Sequence, residues 1–321
     1  MGGLDQDLEV EAVGCRLCGS MEYRVHLVAR DLNLYLGDTF RLVQCTTCGL
    51  VYMNPRPTRK AMEVLYPFET YGQYNPLLSE VCSWVQRFDW GYGVYKRARL
   101  VRHWAPGNSL LDVGCATGTF LEYMQRREGF TVWGVELNAH AAAYARDRLG
   151  VPVYAGTLEE AKLPPGAFDV VTMWHVLEHV FDPLSTAREV RRVLKPGGVF
   201  ICHVPVLDSL GAHVFGRYWS GYEIPRHTYV WSGTTIKRLM TEAGLMVVGT
   251  ACVYGSHSIA ATSVCFWLRD RLRQDGLRYV LEKAILSRGA RLAAAPWFLA
   301  SDRLGWSSAR TFVCQMPERM Q

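Results

Sequence analysis

Residues 108–118, Asn-Ser-Leu-Leu-Asp-Val-Gly-Cys-Ala-Thr-Gly, decide how the rest of the chain is read, and Glu136 stands eighteen positions beyond their end. Leu110, Leu111 and Val113 suit a short strand buried on both faces. Thr119-Phe-Leu-Glu122 has the spacing of a capping box, which would open a helix over Phe120–Arg127. In the turn between them Gly114, Ala116 and Gly118 are small at every second position, so the chain can bend sharply and turn main-chain N–H groups toward a ligand. Val132-Trp-Gly-Val135 is the next expected strand, with Glu136 at its carboxyl end. That edge of an open parallel sheet is where ligands gather, and a carboxylate there can accept bonds from ribose hydroxyls. The unit suits a nucleoside-like cofactor.

A nicotinamide or flavin dinucleotide would need Gly-x-Gly-x-x-Gly, but Ala116 and Thr119 occupy the second and third glycine positions. Asp112 argues the same way, because a carboxylate at the strand end repels a diphosphate and suits a cation. The pattern Asp-x-Gly-x-Ala-x-Gly with a following acid resembles motif I and the acidic loop of class I S-adenosylmethionine-dependent methyltransferases. Phe168–Met173, the run Trp174-His-Val-Leu-Glu-His-Val180 and the turn and strand Leu194–Ile201 resemble the matching segments of that family in order, so the resemblance covers residues 90–255. It implies cofactor contacts from Asp112, Gly114, Ala116, Gly118, Glu136, Leu137, Thr157, Leu158 and Trp174. Thr157 departs from the pattern, since many relatives carry there an Asp that bonds the adenine; backbone near Leu158 is the expected substitute.

The front of the chain carries a second signal. Cys15-Arg-Leu-Cys18-Gly and Cys45-Thr-Thr-Cys48-Gly are two Cys-x-x-Cys knuckles separated by 26 residues. Two thiolates three apart on a tight turn can reach one tetrahedral zinc, and two knuckles fill all four positions, which makes the expected metal structural. Tyr23–Leu27 and Arg41–Gln44 suit short strands, so a small zinc-ribbon module is expected over 1–56, with Val51–Pro57 as an extended exit held out of helix by two prolines. Residues 57–105 are expected to form a helical lid or linker, rich in aromatics at Tyr66–Tyr74 and Trp84–Tyr95. Residues 106–321 are expected to form the α/β domain, a Rossmann-like seven-stranded sheet with helices on both faces, carrying an inserted helical segment at about 257–305. Zinc ribbon, Asn-Pro-x-Pro exit, aromatic helices and methyltransferase core together resemble a bacterial group of small-molecule methyltransferases.

Transfer from a sulfonium is an in-line displacement, and a hydroxyl acceptor must also lose a proton. His175, Glu178 and His179 follow the strand beginning at Phe168, at the edge where the sulfonium is expected. The same segment resembles one that holds a divalent ion in the ubiquinone-pathway O-methyltransferases, although His175 stands where those carry Glu. A divalent ion at the active site is therefore an alternative to a histidine base. Trp219–His227 is the second candidate cluster, with Tyr222 and Arg226 as substrate contacts and His227 as a base; helix capping and an Arg–carboxylate-tied turn are the plain alternatives for these two segments. The expected reaction is O-methylation of a small molecule, a sugar or secondary metabolite. C-methylation, a ribosomal-RNA methyltransferase and a non-catalytic cofactor-binding regulator are the competing readings.

Composition sets outer limits. At 321 residues the chain can hold about two domains, and charged residues at 20% with a near-zero mean hydropathy describe an ordinary soluble protein. A formal charge of +5 does not call for nucleic acid, despite the cluster Lys96, Arg97, Arg99 and Arg102. Met1–Glu11 lacks a secretory pattern and no apolar run reaches the about 18 residues of a spanning helix, so a cytoplasmic protein is expected. Ten cysteines there point to metal and packing rather than to disulfides. The Arg-rich stretch Arg269–Arg291 interleaves with Leu, Val, Phe and Trp; packing on the core or a homodimer face is expected of it, ahead of contact with a membrane surface or a lipid-linked acceptor.

Overall fold

A computed structural model describes residues 8–32, 39–65, 84–253 and 256–318; the aromatic run Tyr66–Tyr74 lies outside the described residues. The chain forms two compact units, each assembled from separate stretches. One contains residues 1–62, 204–236 and 254–310, the other residues 63–203, 237–253 and 311–321.

The second unit is built on a seven-stranded sheet. From one edge its strands are Met246–Ala251, Ala309–Gln315, Leu194–Pro205, Phe168–Trp174, Ser109–Val113, Thr131–Glu136 and Val153–Ala155. The five strands from Leu194–Pro205 onward pair in parallel, while Met246–Ala251 runs antiparallel to its neighbour. Ser109–Val113 lies in the middle, and the chain order reverses on its two sides, which opens a crevice at the carboxyl ends of the strands. Leu110, Leu111, Val170, Val171 and Ile201 are completely buried, as parallel strands covered by helices require. Helix Thr119–Glu128 buries Phe120, Leu121 and Met124; helix Pro183–Val193 buries Ala187, Val190 and Val193.

The expected capping box does not form. Gly118 precedes the helix at φ +78, and no side chain caps the helix start. Thr119 Oγ1 lies 3.4 Å from Thr117 Oγ1 and Glu122 pairs with Arg126, so both halves of the box are spent elsewhere.

In the first unit the strands Tyr23–Arg30, Thr39–Cys45 and Val51–Met53 form an antiparallel sheet. Its fourth strand comes from far along the chain: Tyr229–Val230 pairs with Val51–Met53, placing Tyr229 opposite Tyr52 and Val230 opposite Val51. Trp219, Tyr222, Ile224 and Val230 share one buried cluster with Phe40, Leu42, Val51 and Met53. Residues 204–236 thus belong with the front module, whereas consecutive segments were expected to group by position in the chain. The segment expected to be inserted and helical folds as helices Ser256–Arg271, Asp275–Ile285 and Arg288–Arg303 in this same unit. Among the described residues, no helix is long and apolar enough to cross a membrane.

Candidate active site

The motif turn closes the crevice of the second unit. Gly114 and Gly118 take φ +73 and +78, and Ala116 takes φ 51, a conformation that costs an L residue about 1–2 kcal/mol. A Cβ on Gly114 would come within 2.4 Å of Val176, so glycine is demanded there by both backbone and space. The buried Glu136 carboxylate ties the turn to its strand: Oε2 accepts from the Ala116 N–H at 2.8 Å, and Oε1 accepts from the Asn138 N–H at 2.9 Å. Leu137, next to it, is exposed.

Asp112 is buried at the same strand end and accepts a 2.6 Å bond from the Thr172 hydroxyl. Burial pushes its carboxyl up to about 7; the Thr172 bond and the Arg97 guanidinium pull it down, and the charge of Glu136 pushes it up again. Two buried carboxylates beside a turn of small residues make a cradle that disfavours anions and favours a cation, as a sulfonium requires. Arg97 also lies 5.0 Å above the Phe120 ring and 5.6 Å from that of Trp174. Thr157 and Glu160 form a reciprocal capping box, Thr157 N–H donating to Glu160 at 2.8 Å and Glu160 N–H to the Thr157 hydroxyl at 3.3 Å, beside the buried Leu158.

His175 follows the strand Phe168–Trp174 in the left-handed region, at φ 56. Its Nδ1 is 3.1 Å from Oε1 of the buried Glu178, and its ring meets that of His203 edge-on at 4.8 Å. His203 is wholly buried, with Nδ1 2.8 Å from the Thr311 hydroxyl, and its carbonyl accepts the His175 N–H at 2.9 Å. His203 is a lone polar residue in the apolar run Val199–Val204, which by itself gives no signal in the sequence. His179 begins one turn further on, its N–H bonded to the Val176 carbonyl.

The other expected residues belong to the first unit. His227 is buried, its Nδ1 donates to the Gly221 carbonyl at 2.8 Å, and its Nε2 faces the Glu223 carboxylate at 3.4 Å. Arg226 is buried and paired with Glu223, so the turn is tied by an ion pair. Tyr222 is bonded through its hydroxyl to His26 Nε2 at 3.1 Å, and burial pushes its phenol up to about 12.

The four cysteines converge at the head of this unit. Cys15 and Cys48 sulfurs lie 3.4 Å apart, Cys18 and Cys45 sulfurs 3.5 Å apart, and all four within 4.8 Å of one another. A tetrahedral zinc with bonds of about 2.3 Å needs sulfurs roughly 3.8 Å apart, so the cluster has the right size. The knuckles are matched: Gly19 and Gly49 each take φ 77, and their N–H groups bond the Cys15 and Cys45 carbonyls.

Residues 94–250 match the model of a methyltransferase domain. Over those residues the chain is similar to methyltransferase domains. The chain is 43% identical over 98 residues to a ubiquinone biosynthesis O-methyltransferase of Sodalis glossinidius, covering 29% of this chain and 39% of that protein. It is 30% identical over 160 residues to a demethylmenaquinone methyltransferase of Symbiobacterium thermophilum, covering 47% and 62%. The chain therefore spans less than two thirds of the length of these relatives. Among solved structures, the [4+2]-cyclase SpnF shares the fold with a TM-score of 0.52 at 20% identity, covering 82% of this chain and 97% of that one.

Proposed function

We propose that this protein is an S-adenosylmethionine-dependent methyltransferase that methylates an oxygen of a small molecule, a sugar or secondary metabolite, with a histidine as the base. The observation that supports it most is the His175–Glu178 pair at the carboxyl edge of the sheet whose motif turn is tied by Glu136. Bound, the cofactor supplies a methyl group on a positively charged sulfur. The turn Gly114–Gly118 would hold its amino-acid end, Glu136 its ribose hydroxyls and Leu158 its adenine, while the charge of Asp112 favours the sulfonium.

Glu178 accepts the Nδ1 proton of His175, which fixes the tautomer and leaves Nε2 to take the hydroxyl proton of the acceptor. The His175 side chain is 26% exposed, so an acceptor can reach it, and its left-handed backbone is the kind of strain that functional residues carry. His227 is the second candidate base, its ring oriented by the Gly221 carbonyl at Nδ1 and by Glu223 at Nε2. Tyr222 and Arg226 are proposed acceptor contacts. Cys15, Cys18, Cys45 and Cys48 would hold a structural zinc, with no ligand position open for water.

The test uses methyl-labelled cofactor with a panel of hydroxylated acceptors, the product position being read by mass spectrometry. His175→Ala or His227→Ala is expected to reduce kcat by about 100-fold or more with cofactor affinity unchanged. Full turnover in both variants removes the histidine base, and a label on carbon replaces O-methylation with C-methylation.

A further inference from the structure

Of the 22 large hydrophobic side chains exposed among the described residues, ten fall within residues 267–306. Helix Asp275–Ile285 buries no side chain, and helix Arg288–Arg303 buries only Ser301. Their apolar residues nevertheless fall in register along each helix. Leu277 and Val280 are three apart and both exposed; Leu292 and Leu299 are seven apart and also exposed, Leu292 at 74%. Trp297, 60% exposed, and Leu304 repeat the seven-residue spacing beside them.

The partly buried positions mix apolar Leu281, Ile285 and Phe298 with charged residues. Partly buried Arg278 pairs with Asp275, and partly buried Glu282 pairs with Arg269 on the preceding helix. A helix that merely packs on its own core keeps its large apolar side chains on the inward face, and these two hold Leu277, Val280, Leu292, Trp297 and Leu299 on the outward face as well. An exposed apolar set of this extent marks a surface that something else covers.

Charge says what covers it. Residues 256–306 hold eight Arg and Lys against four Asp and Glu, a net +4 out of the +5 of the whole chain. The helices Asp275–Ile285 and Arg288–Arg303 themselves hold five Arg and Lys against three Asp and Glu, so a second copy would set like net charge against like, whereas an anionic lipid surface is complementary to it. Trp and Tyr at the polar–apolar boundary are what a bilayer interface selects, and Lys283 lies with its ammonium 4.5 Å from the Tyr279 ring, keeping charge and aromatic ring together.

We propose that helices Asp275–Ile285 and Arg288–Arg303 dock on the surface of an anionic lipid bilayer, with Leu277, Val280, Leu292, Trp297 and Leu299 entering the boundary between headgroups and acyl chains. The contact is peripheral, and it holds whether or not the chain transfers methyl groups. It also places the protein where an acceptor with a lipid tail would be found.

The test is cosedimentation of the full chain with vesicles of phosphatidylcholine alone and with about 30 mol % phosphatidylglycerol. Binding is expected to rise about tenfold with the anionic lipid and to fall as salt is raised. The double substitution Leu292→Glu and Trp297→Glu alters only exposed side chains and is expected to lower binding about tenfold, the far-ultraviolet circular dichroism remaining that of the parent. Equal binding to both vesicles, no binding to either, or undiminished binding by the double variant overturns the proposal. So does a dimer in light scattering that the same double variant turns into a monomer, because the occupant is then a second copy.

Discussion

Asp112 is the residue at which the proposed cofactor should make itself felt most directly. Its carboxyl is pushed up to about 7 by burial, and only its ionised form attracts a positively charged sulfur. The ionised fraction of such a group rises from about a tenth at pH 6 to about nine tenths at pH 8, so S-adenosylmethionine is expected to bind about tenfold more tightly at the higher pH. The demethylated product has a neutral thioether and should show a weaker dependence. Calorimetric titration across that range reads the effect, and Asp112→Asn should flatten it; a wild-type affinity constant from pH 6 to 8 dismisses the electrostatic role. Asp112 and Glu136 were legible in the sequence because motif spacing marks them. His203 was not, since a single polar residue in a buried strand announces nothing until Thr311 and His175 are seen against it.

At the scale of elements the two knuckles make the sharpest prediction. Each places its thiols on a turn closed by a glycine at φ 77, and the short strands after them build the sheet of the first unit. Thiolates held this close repel one another unless a metal neutralises them, so the metal should contribute folding free energy outright. Elemental analysis is expected to find one zinc per chain. Cys18→Ser or Cys45→Ser should lose the metal and destabilise the first unit by several kcal/mol in a denaturant titration. A metal-free protein of unchanged stability would mean that four thiols pack there without a metal. These elements were readable because ligands, glycines and strand patterns lie within one short stretch. The strand Tyr229–Val230 was hidden for the opposite reason: it is two residues long, and Arg56, which bonds the Tyr229 hydroxyl, is 173 residues away. The capping box at Thr119–Glu122 misled because spacing alone cannot tell whether the residue before a helix will adopt the extended backbone a cap needs; Gly118 does not.

At the scale of the molecule, the sequence supplied the right sheet and the right front module but drew their boundary by chain position. The chain instead leaves the sheet unit after His203, spends residues 204–236 in the other unit, returns for 237–253 and leaves again through 254–310. Only long-range pairing reveals this, as when Val230 meets Val51. Each unit has its own buried core, Trp219 and Leu42 in one, Leu110 and Ile201 in the other. A ligand that binds only the folded form of one core stabilises that core by mass action, by about 2.7 kcal/mol at a hundred times its dissociation constant. For a unit of this size that corresponds to a rise of about 5–10 °C in its melting temperature. Differential scanning calorimetry is thus expected to show two transitions. The demethylated cofactor should raise the one belonging to the sheet unit, where the motif turn lies, while a zinc chelator lowers the other. A single transition displaced by both reagents would mean that the interleaved units unfold as one cooperative body.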